Sequence, residues 1–392
     1  MNMNAPPPTQ KLVCTRFGDP MTNNIDRLLD YQIQSRHCPG ALVHVERAGK
    51  VLAHQAAGLI GPESDIPMHD GALFRLASLT KTIVTFAALM QVDEGHIALD
   101  APVSDYLPVL KDQRLPSGER PQRAPTVRDL MRHTAGLDYG WAIQDSDVRQ
   151  KYQNANFLTQ TPIYEGSAFL GALAALPLAA QPGTAFNYGY ATDVLGMIVE
   201  KIDGVSLGKS LKTRILDPLG MRETGFEVPK SEQARLASAF ATDTAWHTFV
   251  PKYGIPKPGL PFMHCGGGGL VSTLGDFASF SRMLANGGYI NGERMLSENL
   301  FEEMGRNQLP ESVVGPTSFT GPGFGFGLGF AVRLDWGPGA MPCAAGEMTW
   351  SGISGTTMFV DPKEKWFALH FSSNMTTRMM ARMEFRRAAA LC

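Results

Sequence analysis

The chain has 392 residues, of which 44% are hydrophobic and 18% are charged, enough apolar side chain for a sizeable core in one large domain or two intertwined ones. The formal net charge of -2, without any long run of Lys or Arg, argues against nucleic acid or an anionic membrane as the main partner. No apolar stretch of about 18 residues could span a bilayer, and the start lacks the pattern of a secretory signal, so the sequence predicts a cytoplasmic protein.

The cysteines are odd in number and widely scattered: Cys14, Cys38, Cys265, Cys343 and Cys392. None of them forms a C-x-x-C pair. We therefore expect reduced thiols, with no disulfide framework and no metal site, and no motif in the sequence calls for a cofactor.

The first part of the chain predicts a tail, a helix, a hairpin and a second helix, in that order. "APPPTQ" predicts a flexible tail, and "NNIDRLLDYQIQSR" has apolar residues at helical spacing after an asparagine cap. "GALVHVERAGKVLAHQAAG" alternates on either side of "RAGK", which indicates a β-hairpin. A helix opened by Ser78 should run to about Glu94, with an apolar stripe on one side and Lys81 on the other.

The remainder predicts a helical middle followed by strands. From about 97 to 260 the clearest helical segments are "TVRDLMRH", "TDVLGMIVEKIDG" and "SLGKSLKTRIL". After "HCGGGGLVST", strands are predicted in "FGLGFAVRL", "MTWSG" and "TTMFVDPKEKWFALHFSS", and the chain ends in a helical run. We predict an α+β or α/β fold in which one antiparallel sheet is built from both termini and flanked by the terminal helices, with an inserted mainly helical domain. The predicted boundaries are 1–70 with 262–392 for the sheet domain and 71–261 for the helical one.

The stretch "FRLASLTKTIV" places Ser78 where a helix should begin and Lys81 one turn later. Side chains three residues apart share a helix face, and Lys81 is the only charged residue between Leu76 and Val92. A serine at a helix N-terminus with an amine within reach is typical of an activated nucleophile. The alternative is that Ser78 caps the helix while Lys81 extends to solvent, and an S-x-x-K match alone leaves both open.

Two later segments complete an ordered set of motifs. Tyr188 stands just ahead of a helical segment in "GTAFNYGYATDVLGM", and Trp350, Ser351 and Gly352 stand at the start of a predicted strand in "EMTWSGISGTTMFVD". Taken alone, a tyrosine before a helix or a tryptophan on a strand is ordinary packing. The order S-x-x-K, then Y, then W-x-G points to one common site.

With these motifs in this order, the chain resembles the serine hydrolases of the class C β-lactamase and D,D-peptidase fold, and most closely their esterase branch, the family VIII carboxylesterases. The resemblance extends from about Ile25 to the end and includes "LFRLASLTK", "LDAPVSDYLP", "LMRHTAGL", "FNYGYATDVLGMIVEKIDG", "PLGMRETGF" and "GGLVSTLGDFASFSRML". S-x-x-K is a catalytic motif of penicillin-recognising enzymes. The resemblance implies a β-lactamase-like fold with the active site at the interface of the two domains.

The resemblance also implies a role for each matching residue. Ser78 would attack an acyl carbonyl and become acylated. Tyr188 would be the general base; a tyrosine is ordinarily protonated at neutral pH, and the Lys81 ammonium would favour its phenolate. The backbone N–H groups of Ser78 and Ile353 would hold the oxyanion. Gly352 would let an edge strand lie close to the substrate, and water would then release the acyl group.

Two positions depart from the lactamases and peptidases. Trp350-Ser351-Gly352 stands where Lys-Thr-Gly is usual, which removes a cation expected to meet the β-lactam carboxylate. Tyr190 stands where an asparagine is favoured. Both changes favour neutral esters, because Trp350 and Tyr190 would form an apolar rim for an acyl or alcohol group. We therefore predict a carboxylesterase acting on short-chain, small-molecule esters, with Tyr190, Trp350, Ser351 and Gly352 at the substrate.

Other functions stay open on the same motifs. They are a β-lactamase or D-amino-acid peptidase or amidase, an acyltransferase that uses an alcohol or amine instead of water, and a catalytically silent scaffold. The missing late-strand lysine argues against the first. The presence of Ser78, Lys81 and Tyr188 together argues against the last.

Three further features are interpreted as structural. No G-x-S-x-G occurs, which disfavours the nucleophile elbow of the α/β-hydrolases. His133 in "LMRHTAGL" is expected to hold a loop and not to pair with the serine. "HCGGGG", with His264 and Cys265, is expected to form a tight turn before a strand, because it lacks the Gly-Lys-Ser/Thr of a P-loop and a second pair of metal ligands.

Overall fold

A computed structural model describes residues 22–141, 143, 145–155, 165–250, 262–334 and 341–392. The predicted tail "APPPTQ" and Cys14 lie outside these residues. The α-helices that it describes are α1 Thr22–Gln34, α2 Thr80–Asp93, α3 Val103–Tyr106, α4 Val127–Met131, α5 Ser146–Ala155, α6 Gly166–Ala174, α7 Ala191–Asp203, α8 Leu207–Leu211, α9 Thr244–Phe249, α10 Leu274–Ala285, α11 Glu298–Met304, α12 Thr317–Thr320 and α13 Arg378–Ala389.

The strands in the described residues are β1 Gly40–Arg47, β2 Lys50–Gly58, β3 Phe74–Arg75, β4 Val271–Ser272, β5 Tyr289–Ile290, β6 Glu293–Arg294, β7 Phe324–Phe326, β8 Ala331–Arg333, β9 Met348–Ser351, β10 Thr356–Asp361 and β11 Trp366–Ser372. Short 3₁₀ turns cover Ala77–Leu79, Pro108–Leu110 and Lys230–Arg235, and a π-helical turn covers Lys212–Leu216.

The main sheet has seven strands in the order β2-β1-β11-β10-β9-β8-β7, and every pairing is antiparallel. The predicted hairpin is present, with positive φ at both Ala48 and Gly49, the pattern of a tight type I′ turn that suits the twist of the strands. β1 lies beside β11 with Ala41 opposite Ser372 and Arg47 opposite Trp366. The prediction of one antiparallel sheet built from both ends of the chain is confirmed.

Helices cover both faces of this sheet, and β11 shows why its residues are almost all apolar. On one face, His370 hydrogen-bonds to Gln32 of α1 at 2.9 Å and packs against Phe385 of α13. On the other face, the Phe371 ring packs against Phe277 of α10. Alternate residues of a strand point to opposite faces, so β11 is buried on both sides and the terminal helices pack as predicted.

The helical segments predicted in the middle of the chain are present as α4, α7 and α8, with the π-helical turn continuing α8. α7 ends at Gly204, whose φ of 66° places it in the left-handed conformation typical of a helix C-terminus. The division into 1–70 with 262–392 and 71–261 stays a prediction.

Four local predictions are wrong. α2 begins at Thr80, and Ser78 lies in the preceding 3₁₀ turn. The helix has no one-sided stripe, because it is enclosed by the rest of the fold and Lys81, Thr82 and Thr85 are as buried as its apolar residues. Trp350 and Ser351 end β9 and do not begin it, and β9 is no edge strand, since β10 and β8 flank it.

The four described cysteines are free thiols, as predicted. Among the helices described, none combines the length and the apolar character needed to cross a membrane.

Candidate active site

Ser78 projects from a short, strained turn between β3 and α2. Ala77, directly before it, has a φ of 45°, a left-handed conformation that costs a non-glycine residue on the order of 1 kcal/mol or more. Strained backbone of this kind persists only where the surroundings enforce it. The serine is therefore presented by a turn that the neighbouring segments hold in place.

The neighbouring segments hydrogen-bond to the turn from both sides. On one side, β3 pairs with β4, and Leu76 N–H donates to Leu270 C=O at 2.9 Å. On the other side, the Thr356 hydroxyl donates to Leu76 C=O at 3.0 Å and the Ser354 hydroxyl to Arg75 C=O at 2.6 Å. The nucleophile turn thus rests directly on the residues that follow β9.

Gly352 makes that close contact possible. A Cβ at this position would lie 2.3 Å from the Leu76 carbonyl oxygen, which is a backbone atom that no side-chain rotation can move. The predicted reason for this glycine was close approach of an edge strand to the substrate. The approach to a substrate stays a prediction, and the structure adds a close approach between the end of β9 and the backbone that carries Ser78.

Lys81 is almost completely buried, with 1% of its surface exposed. Its ammonium donates to Ser78 Oγ at 3.3 Å, to the Tyr139 hydroxyl at 3.0 Å and to Gly267 C=O at 2.5 Å. These contacts exclude the alternative in which Lys81 extends to solvent. A buried ammonium requires such partners, because desolvation otherwise costs it far more than a neutral group.

A carboxylate stands behind this ammonium. Asp193 in α7 accepts a hydrogen bond from Gly267 N–H at 2.9 Å, and Gly267 C=O accepts from Lys81. Burial raises the pKa of Asp193, and the charge of Lys81 opposes that rise. The tight turn predicted for "HCGGGG" is present. Through Gly267 it connects the Asp193 carboxylate with the Lys81 ammonium.

Tyr188 lies in a cage of aromatic rings beside the serine. His133, Phe319 and Trp350 have ring centroids 4.8, 4.9 and 5.3 Å from its own. The Trp350 indole N–H donates to its hydroxyl at 3.2 Å. The Lys81 ammonium lies 4.9 Å from the centre of its ring, so the predicted proximity of these two residues is present, although Lys81 hydrogen-bonds to the hydroxyl of Tyr139.

Tyr139 is a site residue that the sequence reasoning did not single out. It follows "LMRHTAGL", and its backbone N–H donates to Tyr188 C=O at 3.3 Å. Gly189 permits this approach, since a Cβ there would lie 2.2 Å from the Leu137 carbonyl oxygen. The only signal was an apolar aromatic run, "DYGW", which carries no catalytic pattern.

The two predicted oxyanion donors face one cavity. Ser78 and Ile353 both line it, and within the described residues neither backbone N–H donates a hydrogen bond. Buried or partly buried N–H groups are nearly always paired. Two N–H groups without a partner at one cavity are free to donate to an oxygen atom of a bound molecule.

The cavity opens to solvent, and the space between its walls, open solvent included, is about 650 Å³. The described residues that line it are Ala77, Ser78, Tyr139, Trp141, Tyr188, Phe249, Phe319, Trp350, Ser351, Gly352, Ile353, Arg378 and Met379. The predicted Trp350, Ser351 and Gly352 are thus brought together with the serine.

Two expectations about the rim are corrected. Tyr190 does not reach the cavity: it is 2% exposed and packs behind Tyr139, at 4.7 Å between ring centroids. Trp141, which is half exposed, occupies the rim instead. The rim is also not wholly apolar, since Arg378 at the start of α13 lines the cavity.

The two histidines interpreted as structural have structural contacts. His133 C=O accepts from Asn187 N–H at 2.7 Å, which holds the loop before Tyr188. Burial, and secondarily Lys81, place the pKa of His133 well below its usual range, so it stays neutral. His264 accepts from Gly208 N–H at 3.0 Å and stacks on Phe226.

Comparison with known proteins gives the family. Residues 25–391 match the model of the beta-lactamase family. Protein Rv1367c of Mycobacterium tuberculosis is 34% identical over 349 residues, covering 84% of each chain. Esterase EstB of Burkholderia gladioli is 32% identical over 356 residues, covering 86% of each chain. The chain therefore belongs to the beta-lactamase family.

A solved structure agrees with this assignment. EstCE1, described as a hydrolase with promiscuous acyltransferase activity, superimposes with a TM-score of 0.79 at 26% identity, covering 94% of this chain and 98% of its own. The predicted β-lactamase-like fold and the resemblance to its esterase branch are both confirmed.

Proposed function

We propose that this chain is a serine carboxylesterase that hydrolyses short-chain acyl esters through an acyl-enzyme on Ser78. The observation that supports it most directly is the 3.3 Å contact between the buried Lys81 Nζ and Ser78 Oγ, at a cavity that Ser78 and Ile353 line with available N–H groups. A nucleophile with a buried cation behind it and an oxyanion site beside it are the parts that acyl transfer requires.

In this mechanism Tyr188 is the base. Ser78 Oγ attacks the ester carbonyl carbon while its proton passes to the Tyr188 phenolate oxygen, and the resulting oxyanion lies between the two N–H groups. The ester C–O bond breaks, and Tyr188 returns the proton to the leaving alkoxide. Water then attacks the acyl carbon and gives a proton to Tyr188, which passes it to Ser78 Oγ as the acid leaves.

Lys81 and Trp350 support that base. The Lys81 ammonium lies 4.9 Å from the centre of the Tyr188 ring, and the Trp350 indole N–H donates to the hydroxyl oxygen that exchanges the proton with Ser78. Tyr139 holds the ammonium in place. The similarity to Esterase EstB and to EstCE1 favours an ester substrate.

The test is hydrolysis of 4-nitrophenyl acetate or butyrate, with a chromogenic cephalosporin in parallel. Ser78→Ala should abolish ester cleavage, and Lys81→Ala and Tyr188→Phe should each lower kcat by about 10³-fold or more. Ser117→Ala, at an exposed loop serine, is the matched control. Mass spectrometry after a rapid quench should show the acyl group on the peptide that contains Ser78.

Retention of ester cleavage by Ser78→Ala would overturn the proposal. Cephalosporin turnover equal to ester turnover would make β-lactamase activity the preferred function in place of ester hydrolysis.

Acyl transfer is a second candidate because EstCE1 carries that activity by its description. A cavity open to solvent admits an alcohol as readily as water. Adding a short alcohol to the ester assay should then yield a transesterified product in proportion to the alcohol concentration, and product made only of free acid would reject this candidate.

A further inference from the structure

One wall of the cavity carries a positive charge that a neutral ester does not require. Arg378 lies in the first turn of α13 and lines the cavity, half-buried. Its guanidinium donates to Met375 C=O at 2.5 Å. Among the described residues, no carboxylate lies within ion-pairing distance of it.

The nearest acid that influences Arg378 is committed elsewhere. Asp243 exerts an electrostatic effect on Arg378, but its oxygens accept from the backbone N–H groups of Met375, Thr376 and Trp246 and from the Thr376 hydroxyl. Asp243 therefore holds the turn before α13. The Arg378 guanidinium stays available on the cavity side.

A second cation lies directly behind the same wall. Arg382, one turn further along α13, is 1% exposed and donates to Phe319 C=O at 2.8 Å, Ser351 Oγ at 3.3 Å and Thr349 Oγ1 at 3.1 Å. All of these acceptors are neutral, and Phe319 and Ser351 themselves line the cavity.

One turn further still, the charge is neutralised. Arg386 pairs with Glu347 through both carboxylate oxygens, at 3.0 and 2.6 Å. Along α13, the arginine far from the cavity is therefore ion-paired, whereas Arg378 and Arg382 beside the cavity form no ion pair within the described residues.

Helix stability does not account for Arg378. The N-terminal end of a helix carries partial positive charge, so a cation in the first turn is disfavoured there, and α13 has no acidic residue in its first turn. A half-buried arginine without an ion pair, facing an open cavity, is suited to an anionic group, since guanidinium binds carboxylates with two parallel hydrogen bonds.

We propose that Arg378 is a specificity-determining residue, and that the site prefers an ester that also bears a carboxylate over the neutral isostere. This rests on the proposed esterase function and names its substrate class. The carboxylate belongs to either the acyl or the alcohol part of the ester, since the cavity is continuous from Ser78 to Arg378.

Two matched substrate pairs test this and distinguish the two parts. 4-Acetoxybenzoate and 4-acetoxybenzamide differ in charge on the leaving group, and monophenyl adipate and its monoamide differ in charge on the acyl group. In at least one pair, kcat/KM for the acid should exceed that for the amide by about tenfold or more, the value of a charge-assisted hydrogen bond.

Arg378→Gln should lower that acid-to-amide ratio by about tenfold, and Arg378→Lys should retain part of it. Arg387→Gln removes the same charge from the exposed face of α13 and should leave the ratio unchanged. If Arg378→Gln fails to fold, wild-type protein gives the same information: salt at about 0.5 M should lower the ratio by screening the charge.

A ratio of one in both pairs, or a ratio that survives Arg378→Gln, would overturn the proposal. A binding measurement tests the carboxylate site independently of ester hydrolysis. Adipate and adipamide can be titrated by the fluorescence of Trp141 and Trp350, which line the cavity. Arg378-dependent binding of adipate without hydrolysis of any ester would reject the esterase and retain the carboxylate site, and absence of both would reject both.

Discussion

The carboxylate of Asp193 and the ammonium of Lys81 are joined through a single peptide group, that of Gly267, whose N–H donates to Asp193 and whose C=O accepts from Lys81. The two charges therefore influence each other across one backbone unit without touching. Asp193 is a positioning residue for Lys81, because it holds the acceptor that holds the ammonium and supplies the charge that balances it.

Substitution of Asp193 should therefore lower kcat with little effect on KM. Asp193→Asn keeps an oxygen for Gly267 N–H but removes the counter-charge, and we expect about tenfold lower kcat; Asp193→Ala removes both and should cost about 100-fold. Steady-state kinetics on a 4-nitrophenyl ester measures this. Equal kcat for wild type and Asp193→Asn would show that the hydrogen bond alone matters, and wild-type kcat in Asp193→Ala would contradict the role.

Trp350→Phe should lower kcat by about tenfold, because it removes the indole N–H that donates to the Tyr188 hydroxyl while keeping an aromatic ring in the cage. Trp366→Phe is the matched control: Trp366 is a buried tryptophan of the same sheet whose indole N–H has no partner within the described residues. Saturating substrate isolates kcat from any change in binding. Similar losses in both variants would attribute the effect to packing.

Gly352→Ala should damage activity more than stability. The added methyl would press on the Leu76 carbonyl oxygen and push the residues after β9 away from the turn that carries Ser78. Since Ile353 N–H is the proposed oxyanion donor, we expect kcat to fall by about 10²-fold or more and the free energy of unfolding by about 1–3 kcal/mol. Gly275→Ala, in an exposed turn of α10 with open space around it, should leave kcat unchanged.

Acid should destabilise the sheet through His370. Burial lowers the pKa of His370 to about 4, whereas an unfolded histidine titrates near its ordinary value of about 6.5. Between these values the unfolded chain binds a proton that the folded chain does not, so stability falls as pH is lowered from about 6.5 to 4, by about 3 kcal/mol from this residue.

His370→Gln removes this proton-binding group and can keep a hydrogen bond to Gln32. Denaturant unfolding at pH 7 and pH 4.5 should therefore show a smaller acid-induced loss of free energy in the variant. An identical loss in both proteins would place the acid sensitivity at other buried histidines, such as His133.

The sequence predicts those features of the fold that depend on residues close together in the chain. The hairpin around Ala48 and Gly49, α7 and the pairing of β10 with β11 follow from periodicity and turn residues, and they are present. The one-sided stripe predicted for α2 is wrong. The spacing of apolar residues carries no information on whether a polar residue such as Lys81 is buried against hydrogen-bonding partners elsewhere in the chain.

In the candidate active site, too, the residues brought in by contacts between distant segments were not predicted. Ser78, Tyr188 and Trp350 were predicted together from the order of family motifs. Tyr139 and Arg378 were missed, since each reaches the cavity by a contact between distant segments that leaves no pattern in the chain. Tyr190 was misplaced because Tyr188 and Tyr190, on either side of Gly189 just before α7, pack in different directions, and of the two only Tyr188 lines the cavity.

The pairing of β1 with β11 has a consequence for how the protein is made. The strand that completes β1, from Trp366 to Ser372, is synthesised 319 residues after β1 ends at Arg47. At about 5–20 residues per second, the N-terminal hairpin waits on the order of tens of seconds with one edge unpaired. An unpaired, largely apolar strand edge is a template for association with other chains. Production of this protein should therefore depend on chaperones more than its finished core would suggest.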